Sequence, residues 1–66
     1  MDHEREHIMQ FFAYGHLPDK LAEVSKEFYF LAFKLVEDLP RNPERTVALR
    51  KLLEAKDAAV RARMAT

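Results

Sequence analysis

Residues 18–39, PDKLAEVSKEFYFLAFKLVEDL, decide the fold. Leu21, Val24, Phe28, Leu31, Leu35 and Leu39 recur at spacings of three and four, which is one continuous face of a helix. Ala22, Tyr29, Phe33 and Val36 form another row, and Phe30 lies near it. The segment is therefore apolar around most of its circumference, and a helix of that kind is buried on nearly all sides. Pro18 suits the first helical position, and Pro40 stops the run.

Outward from this segment the punctuation continues. Asn42-Pro43 supplies a cap followed by a first-turn proline, and nothing interrupts a helix from there to residue 64. That helix offers a Leu49-Leu53-Val60-Met64 row and a row of mostly small residues, Ala48-Leu52-Ala55-Ala59-Ala62, suited to close backbone approach. Upstream, Asp2 is an N-cap candidate, and the run to Tyr14 ends at Gly15, a residue suited to the left-handed position after a helix. No strand pattern occurs. The expectation is one all-α domain over residues 1–66, with helices at about 2–14, 18–39 and 43–64. A short linker makes the two long helices, each ~33 Å, an antiparallel helical hairpin. One hairpin and one short helix cannot cover both apolar rows of residues 18–39. The uncovered remainder exceeds the patch that monomers carry, so the chain is expected to form a homo-oligomer.

Size and composition agree. A chain of 66 residues and 7.8 kDa buries only ~60% of its surface on folding. Chains this short usually need a disulfide, a metal or a partner subunit. With no cysteine, disulfide frameworks and thiolate metal sites are excluded, which favours a cytosolic chain held by a partner subunit. An apolar content of 48% with one Gly and three Pro argues against disorder. No apolar run approaches the ~20 residues that cross a bilayer, and no signal-peptide pattern opens the chain, so no membrane partner is expected. The zero net charge conceals a gradient: residues 1–39 hold four bases against eight acids, and residues 40–66 seven bases against three acids. Opposed halves of about −4 and +4 pair within a fold or between copies, and the basic half suits an anion.

One enzymatic motif occurs. His3-Glu4-Arg5-Glu6-His7 matches H-E-x-x-H, in which two histidines one turn apart bind zinc and the glutamate activates water. A zinc hydrolase also needs a third protein ligand, for which His16, Glu23 and Glu27 are the candidates, and a cleft on a stable scaffold. At the end of a helical mini-domain the five residues read as a solvated charged turn, and no metal or cofactor is expected. There is no glycine-rich phosphate loop and no nucleophile-base pair at a turn, and Ser25, Thr46 and Thr66 are the only aliphatic hydroxyls. The chain does not read as an enzyme.

Binding remains. Phe11-Phe12-Ala13-Tyr14-Gly15-His16-Leu17-Pro18 sets aromatic rings ahead of a tight turn, and Val24-Ser25-Lys26 follows on the next helix. Rings give a base a stacking platform worth ~1–3 kcal/mol, Lys26 a point charge for phosphate, and Ser25 a hydroxyl.

The order of these residues carries a resemblance. The runs His16-Leu17-Pro18, Val24-Ser25-Lys26, and LPRNPERTVALRKLLEAKDAAVR over residues 39–61 resemble the small phage anti-CBASS proteins, over about residues 11–61. These are cyclic-oligonucleotide sponges built on a helical hairpin. The resemblance implies a compact homohexamer in the cytoplasm of the bacterial host. It would bind cyclic dinucleotides, such as cyclic GMP-AMP, and cyclic trinucleotides, and so withhold them from the effectors of CBASS immunity. It implies no reaction, no polymeric nucleic acid and no membrane. It places a base-stacking ring at Phe11 and a phosphate-contacting amine at Lys26, from different protomers across an interface pocket. The family often has tyrosine at the position of Phe11; stacking survives the change and a phenol hydrogen bond does not, so Tyr14 is the candidate to supply a hydroxyl. Cyclic trinucleotides are implied at a separate three-fold junction, with Arg61 the candidate anchor. The alternative is a structural or protein-interaction helical oligomer without a nucleotide ligand. A nucleic-acid binder using the basic third helix, and a sponge for cyclic ADP-ribose isomers, are further readings of the same residues.

Overall fold

The structure, a computed structural model, describes residues 7–65. They form a 3₁₀ helix at His7–Phe12 and two α-helices, α1 at Asp19–Asp38 and α2 at Pro43–Met64. Among the described residues there is no strand, and the all-helical expectation holds. Asp2 and most of the H-E-x-x-H match, His3 to Glu6, lie outside the described residues.

Local chemistry explains each boundary. Pro18 precedes α1, and its carbonyl accepts from Leu21 N at 2.9 Å and Ala22 N at 2.8 Å, so the first turn closes without a side-chain cap. At the other end Leu39 N donates to the Leu35 carbonyl at 3.0 Å, and Pro40 forbids another turn. Asn42 caps α2: its Oδ1 accepts from Arg45 N at 2.8 Å, and Pro43 follows at the first helical position. Glu44 in the first turn of α2 and Arg61 and Arg63 in its last turn match the helix dipole.

The first segment departs from the regular helix expected there. At three residues per turn, positions i and i+3 eclipse, so Met9 and Phe12 face inward together, while Ile8 is partly buried against the core and Phe11 turns outward. Phe12 is fully buried and Phe11 is half exposed. Gly15 is not the left-handed cap its position suggests. No glycine here has positive φ. The 3₁₀ helix has already ended at Phe12, and the chain turns through a hydrogen bond from Leu17 N to the Tyr14 carbonyl at 3.1 Å.

The core lies where α1 packs on α2, with the 3₁₀ helix against both. It consists of Met9, Phe12, Ala32, Val36 and Leu49, joined by the buried polar residues Ser25 and Arg45. On α1 the buried line is Ser25, Ala32 and Val36, at i, i+7 and i+11. This line runs between the two apolar rows read from the sequence and shares only Val36 with the second of them. Short side chains at Ser25 and Ala32 permit close approach, and the larger residues flank the seam: Phe28, Leu35, Tyr29 and Phe33 are partly buried beside it. The price is exposure further round. Phe30 is 56%, Leu31 45% and Leu39 38% exposed, with Val47 and Met64 open on α2. At the surface of α1, Lys34 Nζ lies 2.9 Å from Asp38 Oδ2. The hydrogen bond from Lys34 and the adjacent carboxylate charge raise the lysine pKa above 10.5, although so exposed a pair contributes little to stability.

Candidate functional site

The 3₁₀ helix and α2 enclose an open cleft of about 350 Å³. Phe11, His16, Lys56, Asp57, Val60 and Arg61 line it. Each is placed by a local rule. Phe11 turns outward from the 3₁₀ helix, and the His7 ring steadies it edge-on, with centroids 5.7 Å apart at 73°. His16 and Leu17 enter from the turn before α1. Lys56 and Val60 stand one helical turn apart on α2, and Arg61 follows. The Lys56 side chain is only 13% exposed, and its Nζ lies 2.8 Å from Asp57 Oδ1.

The cleft can hold a flat group with a nearby anion. Phe11 and Val60 supply apolar surface, while Lys56 and Arg61 bring two positive charges against the one negative charge of Asp57. The single excess charge matches one phosphodiester, and the half-buried setting strengthens it relative to bulk water. At about 350 Å³ the cleft is at the lower end of the roughly 300–1,000 Å³ of ligand pockets, and it is open on one side.

The structure distributes the five residues singled out from the sequence over three places. Phe11 and Arg61 meet in this cleft, although the sequence reading assigned them to different sites. Tyr14 and Lys26 belong to a second neighbourhood. The Tyr14 ring lies 5.6 Å from Tyr29 and 6.2 Å from Phe30, Tyr29 lies 5.5 Å from Phe30, and Phe33 extends the group at 6.3 Å from Tyr29. Lys26 is exposed and stands three and four residues before Tyr29 and Phe30, so it borders the same helix face. Ser25 occupies a third place, in the helix seam at 0% exposure, and its Oγ has no hydrogen-bond partner.

No known protein family, curated protein or solved structure matches this chain.

The sequence does not single out Gln10, Lys56, Asp57 and Val60 as site residues, and it offers His16 as a metal-ligand candidate and as part of the aromatic turn segment. The signal for Lys56 was its helical spacing from Val60 and Arg61. That signal gains meaning only once Phe11 is known to pack across from it. Among the described residues no group of His, Asp and Glu is placed to hold a metal ion.

Proposed function

We propose that this chain is a sponge for cyclic di- and trinucleotide second messengers, in which helical hairpins assemble into a homohexamer that withholds the signals of bacterial CBASS immunity inside the host cytoplasm. The observation that carries the reading is the convergence of the Phe11 ring with Lys56 and Arg61 on one open cleft. A cyclic dinucleotide has two bases and two phosphates, and a cleft of this size covers only part of it. A second copy of the chain completes the enclosure by presenting its own groups, which is how a two-fold protein interface matches a two-fold ligand. Lys26 is the cation suited to arrive from the neighbouring copy, because it sits beside the exposed aromatic face through which copies pack.

A sponge needs no reaction. It lowers free messenger by mass action, so tight binding and slow release are sufficient, and preformed stacking surfaces reduce the ordering cost of binding. No described helix is long and apolar enough to cross a membrane.

A second reading has its own support. The partly buried Tyr14, Tyr29 and Phe33 rings with the exposed Phe30 suit a purely structural or protein-interaction oligomer, which would assemble in the same way and bind no nucleotide. Calorimetric titration of cyclic GMP-AMP into the wild type, Lys26→Ala and Phe11→Ala separates the two. The sponge reading expects saturable binding that each substitution weakens at least tenfold with the oligomer unchanged. An assembled wild-type protein that releases no heat with any cyclic di- or trinucleotide would leave the structural oligomer standing.

A further inference from the structure

Further along the same seam between the 3₁₀ helix and α2 lies a second hollow, of about 190 Å³, lined by His7, Ile8, Thr46, Leu49 and Arg50. Its floor is apolar: Leu49 is fully buried and Ile8 partly so. Its other three lining residues all carry hydrogen-bonding groups and come from two elements. Thr46 and Arg50 stand one turn apart on α2 and share a face, while His7 opens the 3₁₀ helix across from them.

These groups are held but not used up. Gln10 fixes the histidine: its Nε2 donates to the His7 carbonyl at 3.1 Å, lies 3.0 Å from His7 Nδ1 and makes only a long approach of 3.4 Å to His7 Nε2. Phe11 abuts the same ring edge-on. The Thr46 hydroxyl makes only a long contact of 3.4 Å to the Asn42 carbonyl, weak enough to be exchanged for a better acceptor. Among the described residues no carboxylate forms an ion pair with Arg50.

We propose that this hollow is a binding subsite for a terminal phosphate group. Its donors match the acceptors of such a group. A phosphomonoester carries about −1.5 to −2 charge at neutral pH and three acceptor oxygens. Arg50 offers a planar fork of donors, Thr46 a hydroxyl and His7 a ring N–H, and the apolar floor of Leu49 and Ile8 closes the hollow beneath them. A phosphodiester locked inside a cyclic nucleotide has a single charge and two free oxygens, and its ring keeps it from entering a side hollow. The subsite therefore selects ligands with a free phosphate end, either inorganic phosphate or a linear nucleotide. The shared wall directs a linear nucleotide toward the first cleft, because His7 lines one hollow, Phe11 lines the other, and their rings touch. This inference goes beyond the cyclic-messenger reading and does not rest on it.

The test uses the full chain and four probes: inorganic phosphate, linear diadenylate with a 5′-phosphate, the same dinucleotide without that phosphate, and cyclic diadenylate. Inorganic phosphate is expected to shift the amide resonances of Thr46 and Arg50 in the wild type and not in Arg50→Gln. The 5′-phosphorylated dinucleotide should bind at least tenfold more weakly to Arg50→Gln and to Thr46→Val, while cyclic diadenylate binds both variants as it binds the wild type. Arg50 and Thr46 are exposed, so circular dichroism should show both variants folded. Equal binding of the linear dinucleotide with and without its 5′-phosphate would overturn the proposal, as would unshifted Thr46 and Arg50 resonances. Failure of cyclic diadenylate alone, with the phosphate shifts intact, upholds this subsite and removes cyclic diadenylate as a ligand, not the sponge reading as a whole.

Discussion

The guanidinium of Arg45 reaches back from the first turn of α2 to the end of α1, where its Nη1 donates to the Leu39 carbonyl at 3.1 Å. The same nitrogen donates to the Val36 carbonyl at 3.2 Å. Carbonyls at a helix C-terminus have no partner within the helix, and here a cation at 4% exposure satisfies two of them. One side chain thus ties the end of α1 to the start of α2 across the short connection at residues 39–42.

Arg45→Ala should destabilise the protein by about 2–4 kcal/mol, because two charge-assisted hydrogen bonds and a filled volume are lost together. Arg45→Lys should recover only part of this, since an ammonium lacks the planar fork. Urea denaturation followed by circular dichroism measures both. A loss below about 0.5 kcal/mol for Arg45→Ala would show that the link is ornamental.

Ser25 calls for the opposite result. Its Oγ is buried without a partner, and such a group costs about 1–3 kcal/mol of desolvation. Ser25→Ala should therefore raise stability by about 1 kcal/mol, or roughly 4–8 °C in Tm for a domain of this size. If thermal melting shows instead a loss of stability, the hydroxyl has a partner in solution.

At Gly15 an added methyl group meets nothing within 4 Å, and the backbone lies outside the positive-φ region that requires glycine. Gly15→Ala should stabilise by about 0.4–1 kcal/mol, through the reduced freedom of the unfolded chain. A measured loss would mean that this turn visits a left-handed conformation in solution.

Phe30, the most exposed ring of the aromatic group around Tyr29, is 56% exposed. Phe30→Asp should leave the helical content of the chain intact and lower the oligomeric mass, because a charge on a packing surface opposes association at little cost to the fold of one copy. Analytical ultracentrifugation reads the mass. An unchanged assembly would move the interface away from this face.

How much of this was legible in the sequence follows from the range of each determinant. The ends of α1 and α2 depend on Pro18, Pro40, Asn42 and Pro43, which act on neighbours a few residues away, and these boundaries fall within one residue of expectation. The seam was not legible. When apolar residues surround a helix, periodicity cannot say which line faces the partner, and the line used contains a serine that no hydropathy pattern selects. The 3₁₀ geometry of His7–Phe12 was also hidden, because a six-residue segment is shaped by what it packs against. The candidate site was legible in its members and not in their grouping. Phe11 and Arg61 stood out by residue type, but their meeting in one cleft depends on the 3₁₀ helix docking across α2. Lys26 and Tyr14 stood out as well, and their shared border with Tyr29 and Phe30 emerges only from the turn that brings Tyr14 back onto α1.

Native mass spectrometry of the purified chain with cyclic GMP-AMP and a cyclic trinucleotide bears on the sponge reading and the assembly together. A homohexamer carrying stoichiometric nucleotide is expected, with the nucleotide lost and the hexamer kept in Lys26→Ala. A folded single subunit with no bound nucleotide would contradict it.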